Sequence, residues 1–504
     1  MDKIYIPERF KGRTGYHIFV DRFCRAGPQI PYVEGRRIKQ WNDIMPDWWP
    51  DDDGEYRNEY FYGGNLQGII QKLDYLEKLG INFLYLSPIS MTKTNHHYDV
   101  GDQRIIDPYI GDWNDFITFC FEAHLRKMLV AVDLVFNHMG AWSEFFKKAL
   151  EGDQKYRAWF EWDGYGNPVY WYGFKDMPQC NKLNPDYQEY CCSVVQKYLE
   201  SGADCIRLDL GETLPKEFLV RIKEKARSIN REALIVSEMW DFAINRGDPQ
   251  IYDGQVDSVM NYPFTDAIHR WIRYGNYLHY NAYTRNIAKY PLEVQDVLWN
   301  HIDTHDTPRA LNMLQGRGML ENPYQGQIWN IEDPWRGYNS FDTFSFRKWE
   351  YENDYCLNWE SINKLKLAAL AQYMSKGIPM TFYGTEAGLS GYKDPFNRKP
   401  YPWESENHEL LEFYIEIGYL RKRLKNILSD GDMQTYTNEQ ILEITRRSRY
   451  GIAVTVINRT NSEQYIGVNI PNTKVVFSIN GSNCNVLKPY GAIVYTIATR
   501  SIIY

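Results

Sequence analysis

Three acidic residues stand at or just beyond the ends of apolar runs far apart in the chain. Asp209 follows Cys205-Ile206-Arg207-Leu208, Glu238 follows Leu234-Ile235-Val236-Ser237, and Asp306 follows Asn300-His301-Ile302-Asp303-Thr304-His305. An apolar run buries what adjoins it, and a carboxylate is costly to bury without partners. Carboxylates gathered at strand C-termini from distant segments are what a barrel enzyme uses for acid–base and nucleophilic chemistry. Arg207 precedes Asp209 by two residues, so the two-residue period of a strand points both side chains to one face. A guanidinium there favours an ionised carboxylate. Glu238 lies among Val236, Met239 and Trp240, an apolar setting suited to a carboxyl group that carries a proton.

The elements that must position these residues alternate between strand-like and helix-like segments. A strand at 16–20 precedes Leu66, Ile69, Ile70, Leu73, Leu76 and Leu79 at helical spacing, with Gly80 as the stop. A strand at 81–86 precedes a helix opened by Asp112. The third strand, at 128–136, is apolar throughout, as in a parallel sheet. Residues 139–185 have no clear period and are rich in Trp, Tyr, Phe, Gly and Asp. The alternation then resumes through 234–236, with later strands expected at 258–261, 297–302 and 380–383. From about residue 430 the period becomes two, with turns marked by Asn, Gly, Ser and Pro. The expected fold is α/β: a (β/α)8 TIM barrel (1–138 and 186–428), a small insertion domain after strand 3 (139–185), and a C-terminal antiparallel β-sandwich domain (429–504). A doubly wound sheet would carry a Gly-rich phosphate turn after its first strand, and none is present. The aromatic-rich stretch at 307–360 reads as a wall or lid of the cleft.

The 504 residues, 44% hydrophobic, can bury a core of more than one domain. A formal net charge of −8 argues against nucleic acid and anionic membranes as partners. No run is long and apolar enough to cross a membrane, and the first ten residues hold no signal-type h-region. The eight cysteines contain no C-x-x-C pair, so no zinc or redox motif is expected. They read as reduced core thiols of a cytoplasmic protein. Aromatics reach 16%, enough to supply flat surfaces for sugar rings as well as core packing.

Four ordered segments carry a resemblance: Asp133-Leu134-Val135-Phe136-Asn137-His138, Gly202-Ala203-Asp204-Cys205-Ile206-Arg207-Leu208-Asp209, Ser237-Glu238-Met239-Trp240 and Thr304-His305-Asp306-Thr307. They resemble the four signatures of the α-amylase family, glycoside hydrolase family 13. Met177-Pro178-Gln179-Cys180-Asn181 is similar to the fifth signature in its neopullulanase and cyclomaltodextrinase form. Phe61-Tyr62-Gly63-Gly64-Asn65, Asn95-His96-His97-Tyr98-Asp99 and Asp394-Pro395-Phe396-Asn397-Arg398 are similar to that subgroup too. The resemblance runs from about residue 14 to about 425 with the order kept. It implies Asp209 as nucleophile, Glu238 as general acid/base and Asp306 as a third carboxylate that holds sugar hydroxyls. It implies His96, His138 and His305 as hydrogen-bonding partners of the sugar and Tyr98 as a stacking platform. Trp240 would stack on the leaving-group side, and Asp394 with Arg398 would close the glycone side. The implied activity is a retaining α-glycosidase on maltooligosaccharides, cyclodextrins or related α-glucans. A 4-α-glucanotransferase with the same residues, and an inactive sugar-binding homologue, are the alternatives.

The chain also departs from the family's pattern. Leu210-Gly211-Glu212-Thr213 lacks the Lys-His that follows the nucleophile in α-amylases acting within starch chains. The subgroup's N-terminal β-sandwich is not expected, because the barrel starts near residue 14, and the oligomeric state stays open. The loop after the first strand, Asp21-Arg22-Phe23-Cys24-Arg25, has one carboxylate and two arginines where the family places a calcium loop. Asp51-Asp52-Asp53-Gly54-Glu55 offers oxygen ligands for calcium but reads as a solvated acidic turn. No cofactor or metal site is expected.

Overall fold

The computed structural model describes residues 4–27, 33–43, 58–245, 250–252, 254–315, 357–392 and 394–497. Eight parallel strands form its centre: β1 (Gly15–Ile18), β2 (Phe83–Leu86), β3 (Leu129–Leu134), β4 (Cys205–Leu208), β5 (Leu234–Ser237), β6 (Ser258–Val259), β7 (Trp299–Asn300) and β8 (Ile378–Phe382). Their order is β6-β5-β4-β3-β2-β1-β8-β7. A parallel bridge from Met260 to Trp299, with the Asn261 N–H on the Trp299 carbonyl at 2.9 Å, brings the two edges together. The sheet is thereby a nearly closed (β/α)8 barrel, as the alternation implies.

The barrel interior explains why chemistry collects at one end. Inward positions on β3 are Leu129, Ala131 and Asp133; on β4 they continue Cys205, Arg207 and then Asp209. The registers Ala131–Cys205–Leu234 and Asp133–Arg207–Val236 set these in layers. Phe83, Leu129, Ala131, Leu234, Met380 and Trp299 fill the lower layers, and Phe10 and Ile6 close the N-terminal end. Among the described strand residues, the inward charged side chains, Asp133 and Arg207, lie toward the C-terminal ends.

The helices follow the sequence signals with one difference. Asp112 caps the helix α3 (Trp113–Leu125) through a reciprocal capping box with Asp115. The expected helix ending at Gly80 is two, α1 (Leu66–Gln71) and α2 (Leu73–Lys78). Lys72 leaves the helical region at φ −106°, ψ 5°, its N–H pointing back at the Ile69 carbonyl three residues earlier. This turn tightens and shifts the axis without interrupting the apolar stripe, so periodicity alone does not reveal it.

The segment between β3 and α4 (Pro185–Glu200) holds short helices at Glu144–Leu150 and Gln154–Arg157. Paired bridges Phe160–Cys180, Trp162–Pro168 and Tyr170–Pro178 tie it together. After the helix His408–Arg423 come the antiparallel strands β9 (Asp432–Thr437), β10 (Ile441–Ser448), β11 (Gly451–Asn458), β12 (Thr473–Ile479) and β13 (Ala492–Ile497). Their order is β9-β10-β11-β13-β12. This sheet docks on the barrel through an apolar face, with Leu442, Ile444, Ala453 and Val494 in the barrel's core cluster, and through polar bonds: Trp271 Nε1 donates to the Asn438 carbonyl at 2.8 Å, and Arg459 to the carbonyls of Ile272 and Arg273. Of the expected lid, residues 316–356 lie outside the described residues, as does the acidic run 51–55.

Candidate active site

Arg207 organises the mouth of the barrel. It is fully buried, and its two η-nitrogens serve three carboxylates. Nη1 meets Asp133 at 2.7 Å and Asp209 at 3.0 Å, and Nη2 lies 3.0 Å from Glu238. The parity argument from sequence is met: Arg207 and Asp209 point inward together. Glu238 takes two further donors, the Leu210 N–H at 2.7 Å and the indole Nε1 of Trp240 at 3.0 Å. Leu210 adopts a left-handed φ of 46°, which turns its N–H from the β4 end back toward β5. Trp240 lies flat on Tyr262, ring centres 4.1 Å apart at 11°.

Asp306 sits across this cluster. Its carboxylate is 3.1 Å from His305 Nε2 and 3.4 Å from Arg398 Nη2. Arg398 is buried, reaches Asp394 at 3.1 Å through Nη1 and donates from Nε to the His305 carbonyl at 2.9 Å. Tyr98 joins the two halves, donating to Asp133 at 2.9 Å and meeting His305 Nε2 at 2.6 Å. Its ring is parallel to that of His305, 5.3 Å away. The His96 ring stacks beyond Tyr98, and its Nδ1 accepts the Tyr98 N–H at 3.0 Å. His138 donates from Nε2 to the Tyr98 carbonyl at 3.2 Å, and Trp171 stacks over it. Every site residue named from the sequence therefore lies in one connected cluster.

The electrostatics differ from the sequence expectation at one point. Burial, then the charge of Glu238, pushes Asp209 well above the ordinary carboxylate range, and Arg207 opposes them only in part. The reason is division: one guanidinium is shared among three carboxylates. Asp133 is raised by burial as well. Asp306 is lifted to about 7, by burial first and Glu238 second, although 24% of its side chain meets solvent. Five carboxylates, Asp394 included, face the two guanidinia of Arg207 and Arg398, so Asp133, Asp209 and Asp306 hold protons to higher pH than isolated carboxylates would. Burial pushes His96 and His138 down to about 4 and His305 well below the imidazole range. Near pH 7 these rings are neutral and each keeps one N–H to donate.

This arrangement matches a known catalytic domain in sequence: a model of the α-amylase catalytic domain fits residues 4–325. The chain belongs to the α-amylase family. Neopullulanase 2 of Thermoactinomyces vulgaris is 29% identical over 483 residues, covering 92% of this chain and 70% of that protein. The intracellular maltogenic amylase of Bacillus subtilis strain 168 is 29% identical over 451 residues, covering 86% of this chain and 65% of its own length. The fold of the cyclic α-maltosyl-(1→6)-maltose hydrolase from Arthrobacter globiformis superposes with a TM-score of 0.77 at 23% identity, over 98% of this chain and 100% of that one.

Within this α-amylase-family barrel, the sequence reading left several cluster members without a role. Tyr85 donates to Asp133 at 2.6 Å, and His17 stacks on Tyr85 at 4.2 Å. Tyr262 backs Trp240, and Trp171 backs His138. Tyr85 and His17 could have been found by the inward parity of β2 and β1; Tyr262 and Trp171 lie on a helix start and a loop, where no period points to the cleft. Asn137, at the barrel top, accepts at Oδ1 from Thr213 and Lys182. The lone carboxylate after β1, Asp21, is taken up by the N–H groups of Tyr62 and Gly63 and by Arg22. No group of three or more metal-ligating side chains occurs among the described residues. None of their helices is long and apolar enough to cross a membrane.

Proposed function

We propose that the chain is a retaining α-glycosidase acting on maltooligosaccharides, cyclodextrins or related α-glucans. The observation that carries this reading is one buried guanidinium, Arg207, shared by Asp209 and Glu238. Sharing it keeps the two carboxylates close, as the separation of about 5 Å in retaining enzymes requires. Asp209, in its ionised form beside Arg207, attacks the anomeric carbon as the C–O bond to the leaving sugar breaks, and Glu238 in its acid form protonates the departing oxygen. Water then attacks the glycosyl–Asp209 ester, Glu238 takes its proton, and Asp209 departs as the carboxylate. The positive charge that develops on the ring meets a cluster rich in carboxylates, which stabilises it more than the neutral substrate. Asp306, held by Arg398, and the neutral His96, His138 and His305 bind sugar hydroxyls. Tyr98 and Trp240 offer flat faces on the two sides of the bond. Each step uses groups of the chain and water.

A cytoplasmic location and the division into barrel, insertion (139–185) and C-terminal domain (429–504) belong to the same proposal. An intracellular relative supports the first, and the change to a two-residue period supports the last. The test is a chromatographic time course on maltoheptaose, β-cyclodextrin and pullulan, with Asp209→Asn as control. Shorter sugars from the wild-type chain and none from the variant are expected. Longer sugars would mean transfer to a sugar acceptor, and wild-type-like turnover by Asp209→Asn would sink the assignment.

A further inference from the structure

Arg22 lies at the end of β1 and touches none of the three carboxylates Asp209, Glu238 and Asp306, yet it stands where three loops of the cleft meet. Its side chain is 3% exposed and that of its neighbour Asp21 is 1%. The guanidinium spreads its donors over three segments. Nε donates to Asp21 Oδ2 at 2.6 Å, Nη1 to the main-chain carbonyl of Arg398, and Nη2 more loosely to the Tyr60 carbonyl at 3.4 Å. The Arg22 carbonyl accepts the Tyr401 N–H at 2.7 Å. One residue thus grips the segment 398–401 from both its side chain and its main chain.

Each grip leads to a sugar-facing group. Arg398, held by its carbonyl, carries the guanidinium that meets Asp306 and Asp394. The Tyr60 carbonyl also accepts Asn95 Nδ2 at 2.9 Å, and the Asn95 N–H bonds the Asn58 carbonyl at 2.7 Å. Asn95 begins the loop that presents His96 and Tyr98. The Asp21 carboxylate is fixed in turn by the N–H groups of Tyr62 and Gly63. Two rings complete the setting. Arg22 lies against Tyr62 at 4.8 Å and Phe19 at 5.7 Å, while Arg398 approaches the same Phe19 at 5.4 Å.

We infer that Arg22 is a positioning residue for the glycosidase reaction: it sets the place of the Arg398 guanidinium, and through it that of Asp306, by clamping the 398–401 segment onto the end of β1. The inference rests on the proposed activity and adds a residue to it. A planar fork with several fixed donors can span a carboxylate and two carbonyls at once; a single ammonium cannot. Charge alone is therefore not what the position requires.

The test uses Arg22→Lys, which keeps the charge beside Asp21 and loses the span, with Arg22→Gln as companion. Kinetics on maltoheptaose are measured with thermal unfolding of the same samples. Arg22→Lys is expected to fold and to lower kcat about 10-fold, with KM within about 2-fold, the pattern of a contact made more strongly in the transition state than in the ground state. The acid limb of kcat/KM is expected to move to higher pH. Asp306 faces Glu238 and Asp133, which raise its pKa, Arg398 and Arg207, which lower it, and the neutral His305; displacing Arg398 removes one lowering charge. The deciding measurement is a double-mutant cycle. If Arg22 acts through Arg398, Arg22→Lys changes little in an Arg398→Ala background. An equal loss in both backgrounds, a wild-type kcat in Arg22→Lys, or failure of both variants to fold would overturn the inference. Absence of wild-type turnover on any α-glucan would instead count against the proposed activity.

Discussion

Replacing Arg207 by methionine keeps an unbranched buried side chain and removes the cation that Asp133, Asp209 and Glu238 share. At the observed 2.7–3.0 Å and an effective dielectric of about 20, each pair is worth about 5–6 kcal/mol of Coulomb attraction. Most of that is offset by returning arginine's own desolvation cost, and deleting one partner of a buried pair costs about 3–5 kcal/mol. Proton uptake limits the loss further. A carboxyl with an ordinary value near 4 is protonated at about 1.4 kcal/mol per pH unit above that value, so the relief is nearly complete at pH 5 and small at pH 8. The sign follows from linkage. Asp133 and Asp209 already have folded pKa values above their unfolded ones, so the folded state binds more protons, and stability falls as pH rises from about 4 through the raised values. Removing Arg207 raises them again and widens that window. Urea unfolding followed by tryptophan emission should show Arg207→Met less stable by about 2 kcal/mol at pH 5 and about 4 kcal/mol at pH 8. Equal losses at both pH values, or a gain at pH 8, would refute the shared-cation account.

Asp306 must be ionised to bind sugar hydroxyls and is lifted to about 7, so kcat/KM should fall as pH drops below about 7; a plateau down to pH 5 would contradict this. Trp240→Phe keeps a ring on Tyr262 and loses the 3.0 Å indole bond to Glu238; kcat should fall about 10-fold with the melting temperature little changed, as measured by steady-state kinetics and thermal unfolding.

Much of the barrel and the site was legible in local pattern. The inward pairing of Arg207 with Asp209 followed from the strand period, and the cap at Asp112 from residue type. The far-separated Asp394 and Arg398 were marked only by the family signatures. Less was legible where the answer depends on packing. Lys72 breaks a helix inside an unbroken apolar stripe. Tyr262 and Trp171 become the backing of Trp240 and His138 only because the helix Tyr262–Tyr274 and the loop after β3 arrive there.

The sequence by itself determined which strand side chains face the mouth, because alternation along a strand is a property of a few adjacent residues. Only the tertiary structure decided their ionisation and their connections. Asp209 is raised despite Arg207 because strand register brings Asp133 and Glu238 to the same guanidinium, and Arg22 governs Arg398 across 376 residues of chain. Fields and clamps of this kind depend on distances in space, which no spacing along the chain encodes.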